Sequence, residues 1–103
     1  MDYRLYYSQK AISDLAEIIG RIAEDDDQAA SSFGNSLLNH VELLSRFPRL
    51  GSSIPGKLGV RKLVHSPFLI YYQIHEKKGI VELLHVRHSA RKPPRSELRS
   101  EMG

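Results

Sequence analysis

The sequence predicts an α+β fold in the order β-α-α-β-β-β, with a helical hairpin packed on one face of a small, mainly antiparallel sheet. Three observations carry this. Two stretches between Ile12 and Leu44 repeat apolar residues at three- and four-residue intervals, the mark of amphipathic helices. Three β-rich runs follow from Val60 to His88, joined by connections too short for crossovers, which makes them an antiparallel meander. An alternating run near the start of the chain supplies one more strand.

Asp2 to Tyr7 alternates Tyr3, Leu5 and Tyr7 against Arg4 and Tyr6. Ser8 follows as an N-cap, its hydroxyl placed to accept from an orphan amide of the next turn. Ile12, Leu15, Ala16, Ile19, Ile22 and Ala23 then form one apolar stripe. Gly20 within it costs about 1 kcal/mol relative to Ala and points to close packing. The acidic run Glu24-Asp25-Asp26-Asp27 ends this helix and caps the next, where carboxylates oppose the positive end of the helix dipole. A solvated cap accounts for this run more simply than a metal loop does. The second stripe, Ala30, Phe33, Leu37, Val41 and Leu44, closes at Arg46-Phe47-Pro48, because a residue before Pro is pushed out of helical space.

Pro48 to Gly59 reads as a Gly/Pro/Ser-rich loop. Strands are expected over Val60–His65, Phe68–His75 and Ile80–His88, separated by Ser66-Pro67 and by Glu76-Lys77-Lys78-Gly79. Alternation places Arg61, Leu63 and His65 on one face and Val60, Lys62 and Val64 on the other. Pro93-Pro94 cannot extend a ladder, since neither residue has an N–H to donate. Residues 1–92 therefore read as one domain and 93–103 as a polar, mobile tail, with a short helix capped by Ser96. The sheet face away from the helices is expected to stay partly open, and basic residues on it would form a binding surface.

At 103 residues the chain holds one domain at most. Folding such a chain buries roughly 65% of its unfolded surface, enough for one core. There is no Cys, which excludes disulfides, thiolate metal sites and cysteine nucleophiles. The longest apolar run, Phe68 to Tyr72, is far short of the ~20 residues a bilayer span needs. No signal-peptide pattern follows Met1, so a cytoplasmic location without a membrane partner is expected. Residues 1–50 carry five Lys/Arg against eight Asp/Glu, whereas 51–103 carry ten against four, so a net −3 half precedes a net +6 half. A basic half attracts an anionic partner, either phosphate or an acidic protein surface.

Catalytic motifs are sparse. His85 and His88 lie an odd number of residues apart on a strand and so face opposite ways, and no metal site is expected. No G-x-S-x-G elbow occurs, and Gly56-x-x-Gly59 is too short and wrongly placed for a phosphate-cradling loop. No cofactor is expected. The informative segment is Val86-Arg87-His88-Ser89-Ala90-Arg91-Lys92-Pro93, which packs two Arg, a Lys and a His into six residues. Such a cluster can bind phosphates through charge-assisted hydrogen bonds, and His88 can act as acid or base near neutral pH. Simple solvation of an exposed strand end is the alternative.

Four segments in order, Leu44-x-x-Phe47-Pro48-x-Leu50-Gly51, Val60-Arg61-x-Leu63, Ile70-x-Tyr72-x-Ile74 and His85-Val86-Arg87-His88-x-Ala90-Arg91, resemble the ParE/RelE toxin superfamily. The likeness spans nearly the whole chain and is strongest to ParE-like toxins of type II toxin-antitoxin (plasmid stabilisation) modules. It implies the same β-α-α-β-β-β fold, a cognate ParD-like antitoxin as partner, and DNA gyrase as target. RelE-like members instead cut ribosome-bound mRNA. This sequence departs from their pattern: Leu69 stands where they tend to carry Arg, no aromatic residue follows Tyr72, and no Asp or Glu lies between Glu42 and Glu76. On the gyrase reading, Arg61, Arg87, His88, Arg91 and Lys92 are the target-binding candidates. On the nuclease reading, Arg61 and Arg87 would hold phosphate, His88 would transfer the proton, and Arg91 would join them. A degenerate, non-toxic binding member is a third possibility. The resemblance does not imply direct DNA binding, which in such modules belongs to the antitoxin.

Overall fold

A computed structural model describes residues 2–102. The elements run β1 (Arg4–Tyr7), α1 (Gln9–Asp25), α2 (Asp27–Glu42), a 3-10 turn (Leu43–Ser45), β2 (Ser52–Ser53), β3 (Val60–His65), β4 (Phe68–His75), β5 (Ile80–His88) and a second 3-10 turn (Ser96–Leu98). One five-stranded sheet has the order β1-β5-β4-β3-β2. The meander β3-β4-β5 is antiparallel, and β1 joins its edge parallel to β5, with Arg4 opposite Ile80 and Tyr7 opposite Leu83. A parallel neighbour needs a long connection, which the helical hairpin and the intervening strands supply.

Local chemistry sets the helix ends. The Ser8 hydroxyl accepts from Ala11 N at 3.0 Å and starts α1. Asp26 separates the two helices: its amide donates to Ile22 O, and its carboxylate accepts from Gln28 N and Ala29 N at 2.9 and 3.1 Å. The acidic run is thus a shared cap, as its position suggests. The buried side of α1 is Ala11, Leu15 and Ile18, rotated from the expected stripe, and Ile12 and Ala16 are exposed. Gly20 is likewise not a close-packing site, since a Cβ there would meet nothing within 4 Å. Gly34 on α2 is the closer approach, since a Cβ there would stand 3.5 Å from Ile19 Cδ1. The second stripe holds, with Ala30, Leu37, Val41 and Leu44 buried.

The core lies between the helices and the face of the sheet carrying Leu63, Ile70, Tyr72, Val81, Leu83 and Val86. Tyr72 is fully buried, and its hydroxyl donates to Pro48 O at 2.6 Å and accepts from Gly51 N at 2.9 Å. Gly51 can have no side chain, because a Cβ would stand 2.5 Å from Lys62 O and 2.9 Å from the Tyr72 hydroxyl. This tie holds the loop after α2 against the sheet and lets Ser52–Ser53 pair with Lys62 and Arg61 as β2. The sequence reads that segment only as loop, because two residues carry no periodicity.

Two features reshape the other face. The β4–β5 register pairs Tyr72 with Leu83 but Tyr71 with His85, so Leu84 is an extra residue and β5 carries a bulge. Beyond it Val86 points into the core, while His85 and Arg87 share the open face with Tyr71. The chain after Pro93 also does not hang free. Ser100 and Glu101 hydrogen-bond to Glu82 at 2.6 and 2.8 Å, and the Glu101 carboxylate accepts from the Tyr6 hydroxyl and Gln9 N. Fully buried Glu82 draws the segment across the sheet. Ser96 opens its 3-10 turn instead of capping it, and Arg95 precedes the turn without a side-chain cap bond.

Candidate functional site

At the end of β5 the turn 88–92 and one side of α1, from Lys10 to Arg21, enclose a cleft of about 220 Å³. Arg87, His88, Arg91 and Lys92 line it together with Lys10 and Arg21 of α1. The structure therefore brings together four of the five residues singled out from sequence. Arg61 lies apart. It is on the helix-facing side of β3, and its guanidinium donates to Gly51 O at 2.6 Å, bracing the loop that Tyr72 also holds.

Each clustered residue has its own environment. Arg87 Nε donates to the Tyr71 hydroxyl at 3.0 Å, and its Nη1 donates to the carbonyls of His88 and Arg91 at 3.2 and 2.6 Å. The guanidinium thus shapes the turn from within. His88 Nδ1 accepts from Ala90 N at 3.0 Å, and its ring meets Phe68 edge-on at 5.4 Å. That nitrogen is committed to the turn, so only Nε2 of His88 remains for proton transfer. Arg91 and Lys92 are exposed, with their charges toward solvent.

Beneath the cleft lies a group that sequence reasoning missed. β1 stops at Tyr7, so the edge of β5 beyond Leu83 has no strand partner. Asp14 of α1 fills that edge: its Oδ2 accepts from Val86 N at 3.0 Å and meets His85 Nδ1 at 2.6 Å, while Oδ1 takes Lys10 Nζ at 2.7 Å. Burial pushes the Asp14 carboxyl pKa up, but the hydrogen bonds from His85, Lys10 and Val86 outweigh it and hold the group below the usual carboxylate range. The His85 ring stacks on Tyr71 at 5.9 Å between centroids and 23° between planes. Tyr71 in turn lies opposite Lys62, so Lys62, Tyr71 and His85 form one row across β3, β4 and β5. Alternation does separate Lys62 from Arg61, but no sequence signal places Asp14 against a strand edge 71 residues away.

A pair of histidines lies on the helix side. His40 Nδ1 and His65 Nδ1 are 2.8 Å apart, with Phe33 against the His65 ring. Burial, followed by the neighbouring His40, lowers the His65 pKa. Among the described residues no three metal-ligating side chains converge, and no helix is long and apolar enough to cross a membrane.

A helical hairpin on a five-stranded mixed sheet is the fold that this chain shares with solved ParE- and RelE-like toxin structures. Residues 5–93 match the family described as the ParE toxin of the type II toxin-antitoxin system parDE, and the chain belongs to that family. Among solved structures, a chain of the chromosomal ParDE system from P. aeruginosa superposes with a TM-score of 0.69 at 21% identity, over 84% of this chain and 95% of that one. A chain of the RelBE2 toxin-antitoxin complex from Mycobacterium tuberculosis gives a TM-score of 0.59 at 24% identity, covering 85% and 99%. Isolated RelE toxin of E. coli gives 0.57 at 16% identity, covering 87% of each chain. A search of the curated proteins gives no significant match.

Proposed function

We propose that this toxin acts on DNA gyrase and is neutralised by a ParD-like antitoxin. The observation that carries this reading is membership of the ParE family over residues 5–93, reinforced by a fold that superposes better on the ParDE chain than on the RelE toxins. Arg91 and Lys92, exposed on a turn that Arg87 and His88 hold in shape, form the target-facing surface. Exposed cations on a fixed turn suit an acidic protein surface, where they steer association and fix register. An antitoxin with an acidic C-terminal segment complements the +6 half of the chain and can fold as it binds. The toxin domain spans residues 1–92, and the protein works in the cytoplasm, where gyrase and antitoxin are found. Purified, antitoxin-free protein is expected to abolish supercoiling or trap cleavage complexes at stoichiometric ratio. Unaffected gyrase, with protein that is folded and toxic in cells, overturns the reading.

One observation favours a second reading, cleavage of ribosome-bound mRNA. The Asp14–His85 pair leaves Nε2 of His85 as the remaining ring nitrogen, and the ring stacks on Tyr71, which itself bonds Arg87 and lies opposite Lys62. A carboxylate-oriented imidazole is a competent acid or base, and neighbouring cations stabilise a phosphorane. On this reading His85 takes the proton-transfer role that the sequence suggested for His88. Loss of mRNA cleavage in His85→Gln with retention in His88→Gln supports it, and the reverse pattern rejects it.

A further inference from the structure

We infer that residues 95–102 are a releasable strap that closes the open face of the sheet, with Glu82 as its latch and the Pro93-Pro94 pair as its hinge. The family match ends at residue 93, and 99% of the RelBE2 chain is covered by only 85% of this one. The strap is thus an addition to the shared domain.

Glu82 stands in the middle of β5 on the face away from the helices and is fully buried. A carboxylate removed from water needs replacement donors. Among the described residues these are His75 Nε2 at 2.8 Å, Ser100 Oγ at 2.6 Å and Glu101 N at 2.8 Å, so the strap supplies two of the three. Glu101 extends the latch by accepting from the Tyr6 hydroxyl on β1 at 2.8 Å and from Gln9 N in the first turn of α1 at 2.6 Å. Lys78 Nζ donates to Met102 O at 3.3 Å.

The hydrogen bonds to the body of the protein are all at the far end of the strap. Nearer the hinge, Arg95 N bonds only to Glu97 within the strap itself, and Pro93 and Pro94 have no N–H to give. A segment hinged at one end and latched at the other by side-chain and backbone donors opens without disturbing the core. On release Glu82 keeps its bond to His75, so the carboxylate is not left without a partner.

Closed, the strap covers functional chemistry. Pro93, Pro94 and Leu98 form one wall of a groove whose other wall holds Lys62, Tyr71 and Arg87. Tyr71 is only 4% exposed although it stands on the face without helices, with Leu98 of the strap beside it, whereas His85 is covered jointly by Asp14 of α1 and the Tyr71 ring. The strap therefore holds the toxin with its aromatic and cationic sheet face masked, and release makes that face available. The inference rests on the proposed function for its gyrase readout and adds one premise to it, that this face joins the Arg91–Lys92 turn in meeting the target.

The test uses full-length protein with Ser100→Ala/Glu101→Ala, which changes only the strap, and Glu82→Gln, which changes only the latch. Trypsin cleavage after Arg95 and Arg99, followed by intact mass, reads strap opening. Nitration of Tyr71, located by peptide mapping, reads uncovering of the face. Each lost carboxylate hydrogen bond weakens closure about tenfold, so both variants are expected to be cut at least tenfold faster and to nitrate Tyr71 faster than wild type. In the supercoiling assay both are expected to inhibit at several-fold lower concentration. Unchanged cleavage and nitration overturn the strap. Faster opening with unchanged or weaker inhibition overturns its masking role. If wild type and variants all leave gyrase untouched while opening differs as expected, the gyrase reading fails and the strap stands.

Discussion

Asp14 Oδ2 is shared between the Nδ1 of His85 at 2.6 Å and the backbone N of Val86 at 3.0 Å, so one helical carboxylate closes a strand edge and fixes an imidazole together. The arrangement follows from lengths. β1 is four residues long against nine in β5, and the unpaired remainder of β5 falls beside the second turn of α1. An amide left bare there would cost about 1–3 kcal/mol. Asp14→Asn is expected to destabilise the fold by a similar amount, because its amide group turns a donor toward Lys10 or His85. Chemical denaturation at neutral pH measures it, and a loss below 0.5 kcal/mol would reject the bond as structural.

The same carboxylate makes stability depend on pH in the acid range. Its pKa is lowered in the folded protein from an ordinary 3.8, so the unfolded chain binds its proton first as pH falls. The stabilisation is complete above the unfolded value and is lost as pH drops through the folded one. Wild type is expected to lose more stability below pH about 4 than Asp14→Asn does. Denaturation midpoints at pH 5 and pH 3 for both proteins give the comparison, and parallel losses would rule Asp14 out.

His65 gives a second and separate pH window. Burial and His40 at 2.8 Å both disfavour its charged form, so its pKa in the folded state lies below the ordinary 6.5. The unfolded chain therefore takes up more protons as pH falls below that value, and stability declines with it. Wild type is expected to be more stable at pH 7.5 than at pH 5.5. His40→Gln is expected to flatten that difference by removing the like charge from beside His65. A slope unchanged by the substitution would assign the dependence elsewhere.

How much of this was legible in advance follows from the range of each signal. Strand limits Val60–His65, Phe68–His75 and Ile80–His88 coincide with the structure, because Pro, Gly and charge runs bound strongly β-forming residues. The second helical stripe also reads correctly, while the first is rotated so that Ile12 lies outside. An all-apolar stretch such as Ile18-Ile19 satisfies more than one phase. The site was half legible. Clustering of Arg87, His88, Arg91 and Lys92 is local and follows from proximity along the chain. The Asp14–His85 contact depends on the unequal strand lengths, and the open-face position of His85 depends on a one-residue bulge at Leu84. Neither leaves a pattern that periodicity detects.

The Tyr72–Gly51 tie orders two substitutions by severity. Tyr72→Phe removes a hydroxyl that donates to Pro48 O and accepts from Gly51 N, leaving both partners buried, at an expected cost of about 1–3 kcal/mol. Gly51→Ala puts a methyl group 2.5 Å from a backbone oxygen that sheet pairing holds in place, so the loop must move. Its cost is expected to reach about 3 kcal/mol or more and to release β2. Thermal melts of both variants decide the order, and a milder effect of Gly51→Ala would show that the loop yields.

The basic turn separates exposed cations from scaffold. Arg91 and Lys92 are exposed and, among the described residues, lend no side-chain hydrogen bond to the fold, so Arg91→Ala/Lys92→Ala is expected to change stability by less than about 0.5 kcal/mol. Arg87 differs, because its guanidinium joins Tyr71 to the carbonyls of the turn, and Arg87→Ala loosens the turn as well as removing charge. If the turn meets an acidic target, the double variant loses at least tenfold in inhibitory potency at unchanged melting temperature, and added salt weakens wild type in the same direction. Arg87→Lys then separates the two roles. It keeps the charge but cannot reach several carbonyls with one fork, so a loss equal to that of Arg87→Ala assigns Arg87 to shaping the turn. Full potency in the Arg91→Ala/Lys92→Ala protein would remove the turn from the target surface and leave the open sheet face as the place to look.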